Sequence, residues 1–144
     1  MKKVIKCLKK QLYKDAFELL EKEQYQYSLE SLVKDFSDID HMNLYCFLTY
    51  VLSIKENSSF HLLICDFLIF QGTFFYDIYP VIRWHLNIAL KQDNNNLNTL
   101  NWIIEMFYEH PGSPYSDSEL AAFAKDILRY EPNNERAQVI LKNV

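Results

Sequence analysis

This sequence predicts an all-α fold of about eight helices, on three observations. Glycine occurs only at Gly72 and Gly112 in 144 residues. A many-stranded sheet needs more tight-turn glycines than that, whereas helices joined by polar loops need fewer. Apolar residues recur every three or four positions along most of the chain. An octet also recurs: residues 89–96 read ALKQDNNN and residues 127–134 read ILRYEPNN, at an offset of 38. The offset aligns Asp93 with Glu131, Asn95 with Asn133 and Asn96 with Asn134. Each octet follows one amphipathic stretch and precedes another, the mark of stacked helical hairpins. The length suits a single domain, 1–144, with an irregular bundle over 1–55 packed on a hairpin part over 56–144.

The elements follow in order. Ile5, Leu8, Leu12, Ala16, Leu19 and Leu20 share one face of a helix over residues 3–22. A second runs from Tyr25 to Phe36 with Leu29, Leu32, Val33 and Phe36 inward. Asp38 or Asp40 caps a third, which reaches Ile54 with Leu44, Phe47, Leu48, Val51 and Leu52 inward. Ser58 or Ser59 caps a fourth, apolar nearly all round and hence the most buried, ending near Gly72. Pro80 fits the first turn of a fifth, where its missing N–H costs nothing, with Ile82, His85, Leu86, Ala89 and Leu90 on its face. A sixth buries Leu97, Leu100, Ile103, Ile104 and Phe107. The loop HPGSPYSD, 110–117, separates it from a seventh, opened by the capping box of Ser116 and Glu119 and lined by Leu120, Ala124, Ile127 and Leu128. Pro132 starts the eighth, which buries Ala137, Ile140 and Leu141.

Composition narrows the functional classes. Cys7, Cys46 and Cys65 are widely spaced with no C-x-x-C, which argues for buried thiols in a reducing compartment and against a disulfide framework or a zinc site. No signal peptide is visible, and the apolar run Phe60 to Phe70 is too short to span a bilayer, so a soluble cytoplasmic protein without membrane contact is expected. Residues 1–14 hold six lysines and no acid, against a net charge of −4 for the whole chain, so residues 15–144 carry −10. The lysines oppose the dipole at the N-terminal end of their helix; either they are solvated or they answer acids elsewhere in the fold. An acidic body repels phosphates and disfavours direct nucleic-acid binding, while it favours a basic partner steered in by charge.

No sequence pattern demands a cofactor or metal. There is no H-x-x-x-H or H-E-x-x-H, no glycine-rich loop and no G-K-[ST]. His61, Cys65 and His85 would make a Cys/His nucleophile only if their helices packed together, and nothing supplies an oxyanion hole. The stronger signal is aromatic. Phe74, Phe75, Tyr76 and Tyr79 bunch before the fifth helix beside Asp77, Arg83 and Trp84, the residue types that dominate interfaces. Tyr108 and Tyr115 flank the 110–117 loop, and Glu105 and Glu109, four apart, share a helix face suited to a cationic partner. Tyr76, Asp77, Tyr79, Arg83, Trp84, Glu105, Tyr108 and Glu109 are therefore the candidate partner-binding residues, against the alternative of ordinary packing at helix ends.

EPNNERA at 131–137, preceded by Ile127 and Leu128, resembles the hinge of a tetratricopeptide repeat, in which an acid-Pro-Asn-Asn turn joins one helix to the next. Ala89-Leu90 followed by Asp93 and the asparagines resembles the same hinge with Asn94 in place of proline. The resemblance covers roughly residues 80–144. It departs from the family at Ile104 and Leu120, where Gly and Ala are preferred, and in carrying its extra length in the 110–117 loop. It implies a scaffold that holds a peptide or assembles a complex. The aromatic block FHLLICDFLIFQGTFFYDIYPVIRWHLNIALKQD, in a small acidic helical chain, is similar in overall pattern to immunity proteins of bacterial polymorphic toxin systems. That likeness implies a non-enzymatic protein that neutralises one cognate toxin, often a basic nuclease.

Overall fold

The computed structural model describes residues 1–22, 25–34, 39–71, 77–92 and 96–143, with 25–28 described by backbone alone. These residues form nine helices and no strand: α1 Lys2–Lys9, α2 Tyr13–Glu21, α3 Tyr25–Lys34, α4 His41–Ile54, α5 Ser58–Phe70, α6 Tyr79–Gln92, α7 Leu97–Phe107, α8 Asp117–Tyr130 and α9 Glu135–Asn143. The fold is all-α, as predicted. The chain divides into two compact units, Met1–Tyr76 and Asp77–Val144.

In the first unit the expected helix over 3–22 is two helices. Gln11 adopts φ 57, and the N–H groups of Lys10 and Leu12 both donate to the Cys7 carbonyl at 3.0 Å. This left-handed turn closes α1 as a helix C-terminus does. Leu12, placed by periodicity on the buried stripe, becomes the N-cap of α2 and is 45% exposed. Breaking the rod lets both short helices pack on α4. Val4 and Leu8 then form the buried face of α1, and Ala16, Phe17 and Leu20 that of α2. Asn43 fastens the turn, donating from Nδ2 to the Leu8 carbonyl (2.7 Å) and accepting from the Tyr13 hydroxyl (2.8 Å).

Asp40 caps α4 by accepting from the Asn43 N–H, and Leu44, Phe47, Leu48, Val51 and Leu52 are its buried face, as expected. Asn57, rather than Ser58 or Ser59, caps α5, accepting from the Phe60 N–H at 2.8 Å; the two serines lie inside the first turn. Leu29, Leu32 and Val33 of α3 are buried, and Phe36 lies outside the described residues.

The second unit is built on a repeated cap. Asn96 accepts from the Thr99 N–H at the start of α7, and Asn134 accepts from the Ala137 N–H at the start of α9, both at 3.0 Å. One of the two asparagine pairs that the octets place in register, Asn96 with Asn134, therefore does the same work in both copies, while Asp93 and Asn95 lie outside the described residues. Asn134 also corrects an expectation: Pro132 lies in the turn before α9 rather than in its first turn. Asn101 Nδ2 donates to Glu131 Oε2 (3.1 Å), and Asn134 Nδ2 donates to Asn101 Oδ1 (2.9 Å) and to the same Glu131 oxygen (3.0 Å). Those bonds set the start of α7 beside the end of α8 and the start of α9. At the far end Asn143 Nδ2 donates to the Tyr108 hydroxyl (2.9 Å). Hence α7 and α9 run in one direction with α8 against them. Leu100, Ile104, Ala121, Ala124, Ile127, Ala137 and Ile140 fill the space between, the alanines allowing close approach.

Alanine at Asn134 removes a cap and two further donor bonds, and alanine at Asn96 removes a cap and one long bond to the Ala89 carbonyl (3.4 Å). Losses of about 2 and about 1 kcal/mol respectively are expected in chemical denaturation. A negligible loss at either position would deny that the repeated asparagine organises its turn.

Candidate functional site

Of the eight residues put forward from sequence, Tyr76 lies outside the described residues and the other seven belong to the second unit. Two of these are engaged internally. The Arg83 guanidinium donates to the Pro114 carbonyl and, from Nη2, to Glu119 Oε1 (2.6 Å), and it lies 4.8 Å from the Tyr115 ring centroid. It ties α6 to the 110–117 loop and to the start of α8. Tyr79 packs edge-on against His110 (5.5 Å) and Phe107 (6.2 Å). A Cβ on Gly112 would stand 2.8 Å from the Tyr79 ring, so glycine is what lets the loop lie against it. The loop is also bonded to itself: Gly112 N–H donates to His110 Nδ1 (3.0 Å), and Ser113 Oγ donates to the Tyr115 carbonyl (2.9 Å). Asp77 is exposed, and Trp84 is 56% exposed with its ring edge-on to His85 at 4.8 Å.

The remaining three lie at or beyond the end of α7. Their spacing predicts that Glu105 and Glu109 share a helix face, but α7 stops at Phe107 and Glu109 turns off at φ 64. Glu105 is grouped instead with α9. An open groove of about 460 Å³ is lined by Glu105, Asn134, Glu135, Arg136 and Val139. Arg136 lies 4.9 Å over the Tyr108 ring, its Nε buried without a hydrogen-bond partner. Glu105 and Glu135 are exposed, and neither joins an ion pair among the described residues. Val139, 42% exposed, adds an apolar step. Chemically this face offers two carboxylates, one stacked guanidinium and an aliphatic contact, a set suited to seating another chain. Sequence reasoning missed Arg136, Glu135 and Val139. Their only sequence signal is position, in the helix opened by the second copy of the repeat.

The Cys/His candidate falls into two settings, His61 and Cys65 in the first unit and His85 in the second, each fully buried. Burial, with Asp66 adding to it, pushes the Cys65 thiol far up, so it stays protonated and a poor nucleophile at neutral pH. Burial lowers the pKa of His61, against an opposing contact with Glu56 (Nε2 to Oε1, 3.3 Å). Among the described residues no group of three His, Cys, Asp or Glu side chains is placed to hold a metal ion, and no helix is long and apolar enough to cross a membrane.

Two carboxylates of the second unit shift downward. The Ser116 backbone N–H, with the Ser116 hydroxyl and Arg83, lowers Glu119; hydrogen bonds from Asn134 and Asn101 lower Glu131. A distinct pH response of each unit follows. A histidine lowered on folding binds its proton more readily when unfolded, so His61 withdraws stability from the first unit as pH falls below its ordinary 6.5. Lowered carboxylates stabilise above their ordinary 4.5 and lose that contribution only as pH falls further. Amide exchange between pH 7 and pH 5, corrected for intrinsic rates, should deprotect α4 and α5 before α7 and α8. The reverse order would contradict it.

No protein-family model, curated protein or solved structure matches this chain.

Proposed function

We propose that this chain is a non-catalytic binding protein whose α7–α9 face seats a basic region of another protein, and that it acts as an immunity protein. It would neutralise a cognate toxin domain by covering the cationic surface with which that domain grips its substrate. The observation that carries this reading is the pair of exposed, unpaired carboxylates, Glu105 and Glu135, framing a groove floored by Arg136 on Tyr108. Carboxylates that pair with no described residue are free to meet lysine and arginine across an interface, and charge of this kind acts chiefly on the association rate. Fixed side chains around them limit the ordering cost of binding.

The test is co-expression with candidate toxin domains taken from neighbouring reading frames. Protection is expected from the wild type and should weaken with E105K/E135K, whose association rate should fall about tenfold at low salt. Full protection by that variant, or a rate indifferent to salt, would sink the reading.

A second reading, a scaffold for an extended peptide, is favoured by one observation: α7 and α9 run side by side in the same direction behind caps 38 residues apart. It predicts capture of a linear segment without rescue from toxicity.

A further inference from the structure

The strongest unexplained feature of the first unit is the lysine face of α1. At about 100° per residue, Lys2, Lys6 and Lys9 fall within roughly 60° of one another, with Lys3 beside them, while Val4 and Leu8 point the opposite way into the core. Lys10 closes the helix, and Lys14 follows at the start of α2. All six lysines are exposed. Among the described residues, Lys2, Lys3, Lys6, Lys9 and Lys10 make no ion pair, and Lys14 reaches only Glu18, at 4.0 Å. Of the two explanations open from sequence, pairing with acids elsewhere in the fold is therefore not seen among the described residues. Two of these charges also crowd the positive end of the helix dipole. Lys6 and Lys9, in the last turn, lie instead at the negative end, which favours cations, so the dipole accounts for those two and leaves Lys2 and Lys3 unexplained by folding.

We propose that this face docks the protein on an anionic bilayer surface. Charge complementarity sets the class of partner: six cations and no acid over residues 1–14. Its details favour lipid over nucleic acid. The chain has no arginine before Arg83, so the face has no planar fork to read base edges or phosphates bidentately. Its one aromatic, Tyr13, is packed against Phe47 and Tyr50 with its hydroxyl bonded to Asn43, so it offers bases no stacking surface. Instead, the turn after Lys10 presents an aliphatic side chain, Leu12, 45% exposed and next to Gln11 in its left-handed conformation. Lysines with a neighbouring exposed leucine suit a surface of acidic headgroups over hydrocarbon. The apolar side of α1 is already buried in the protein, so contact is peripheral and electrostatic, not insertion of the helix. Screening over about 8 Å at physiological salt limits the repulsion from the acids of residues 15–40. The inference is independent of the toxin-binding reading and stands as an alternative to the expectation of no membrane contact.

Co-sedimentation of the full chain with large vesicles tests it. Binding is expected to vesicles containing about one-third phosphatidylserine and not to pure phosphatidylcholine, and it should vanish as salt rises from about 0.1 M to about 1 M. K2Q/K6Q/K9Q should weaken the partition roughly a hundredfold, at about fivefold per lysine. Its circular dichroism and melting point should stay those of the wild type, because the three side chains are exposed and unpaired. L12S should weaken binding severalfold without removing the salt dependence. Equal binding to neutral vesicles, an unaffected triple variant, or a tighter hold on a single-stranded oligonucleotide or polyglutamate than on the anionic vesicles would each overturn the proposal.

Discussion

Replacing Phe107 by alanine is expected to cost about 3–5 kcal/mol, the largest single loss in the second unit. Phe107 is 1% exposed and is surrounded by four rings: Trp102 and Tyr115 at 5.9 Å, His110 at 6.0 Å and Tyr79 at 6.2 Å. Truncation leaves a cavity whose walls come from α6, α7 and the 110–117 loop, so no one element can collapse to fill it. A unit of this length carries about 3–10 kcal/mol in total, so the variant consumes most of it. Leucine at the same position keeps much of the volume but not the edge-to-face geometry and should lose less than half as much. Urea denaturation followed by circular dichroism measures both. A loss below about 1 kcal/mol for the alanine variant would mean that the rings do not form one packed body.

The largest effect among the ion-paired residues is expected at Arg83. Alanine there strips a donor from the Pro114 carbonyl, a partner from Glu119 and a cation from the Tyr115 ring. Each bond to a charged group is worth up to about 3 kcal/mol when buried. This pair is 38% exposed on both sides, so solvent screening lowers the sum to about 2 kcal/mol. Lysine cannot reproduce the fork and should recover under half of the loss. Glu119 is also bonded by the Ser116 N–H at 2.9 Å, so E119A removes the capping box as well as the ion pair. A double-mutant cycle should return a coupling of about 1 kcal/mol, with faster amide exchange at Gly112 and Ser113 as the loop loosens. Additive losses, or unchanged exchange in the loop, would show that Arg83 does not hold it.

What was legible in the sequence divides by range. The capping box at Ser116 and Glu119 and the inward face of α4 rest on spacings of three to four residues, and they stand as read; the repeat marked the two turns, and the structure supplies the capping role of Asn96 and Asn134. The single helix over 3–22 fails because periodicity cannot register one left-handed residue; Gln11 breaks the rod while the apolar spacing runs on through Leu12. Asn57 and Asn134 displaced the expected serines and Pro132 because both residue types fit a helix start, and the choice falls to whichever side chain reaches the free N–H. The interface candidates were harder. Arg83 looks like an exposed anchor until its partners, 31 and 36 residues away, are in place. Arg136 looks like an ordinary surface cation until Tyr108 is beneath it.

The division into two units falls between the chain's own optical and chemical labels. Both indoles, Trp84 and Trp102, lie in the second unit, while all three thiols, Cys7, Cys46 and Cys65, lie in the first. Intrinsic fluorescence therefore reads one half and alkylation kinetics the other, without engineered probes. Cys65, at 0% exposure, becomes reactive only on opening of its surroundings. One sample can thus report whether the halves come apart together or in succession.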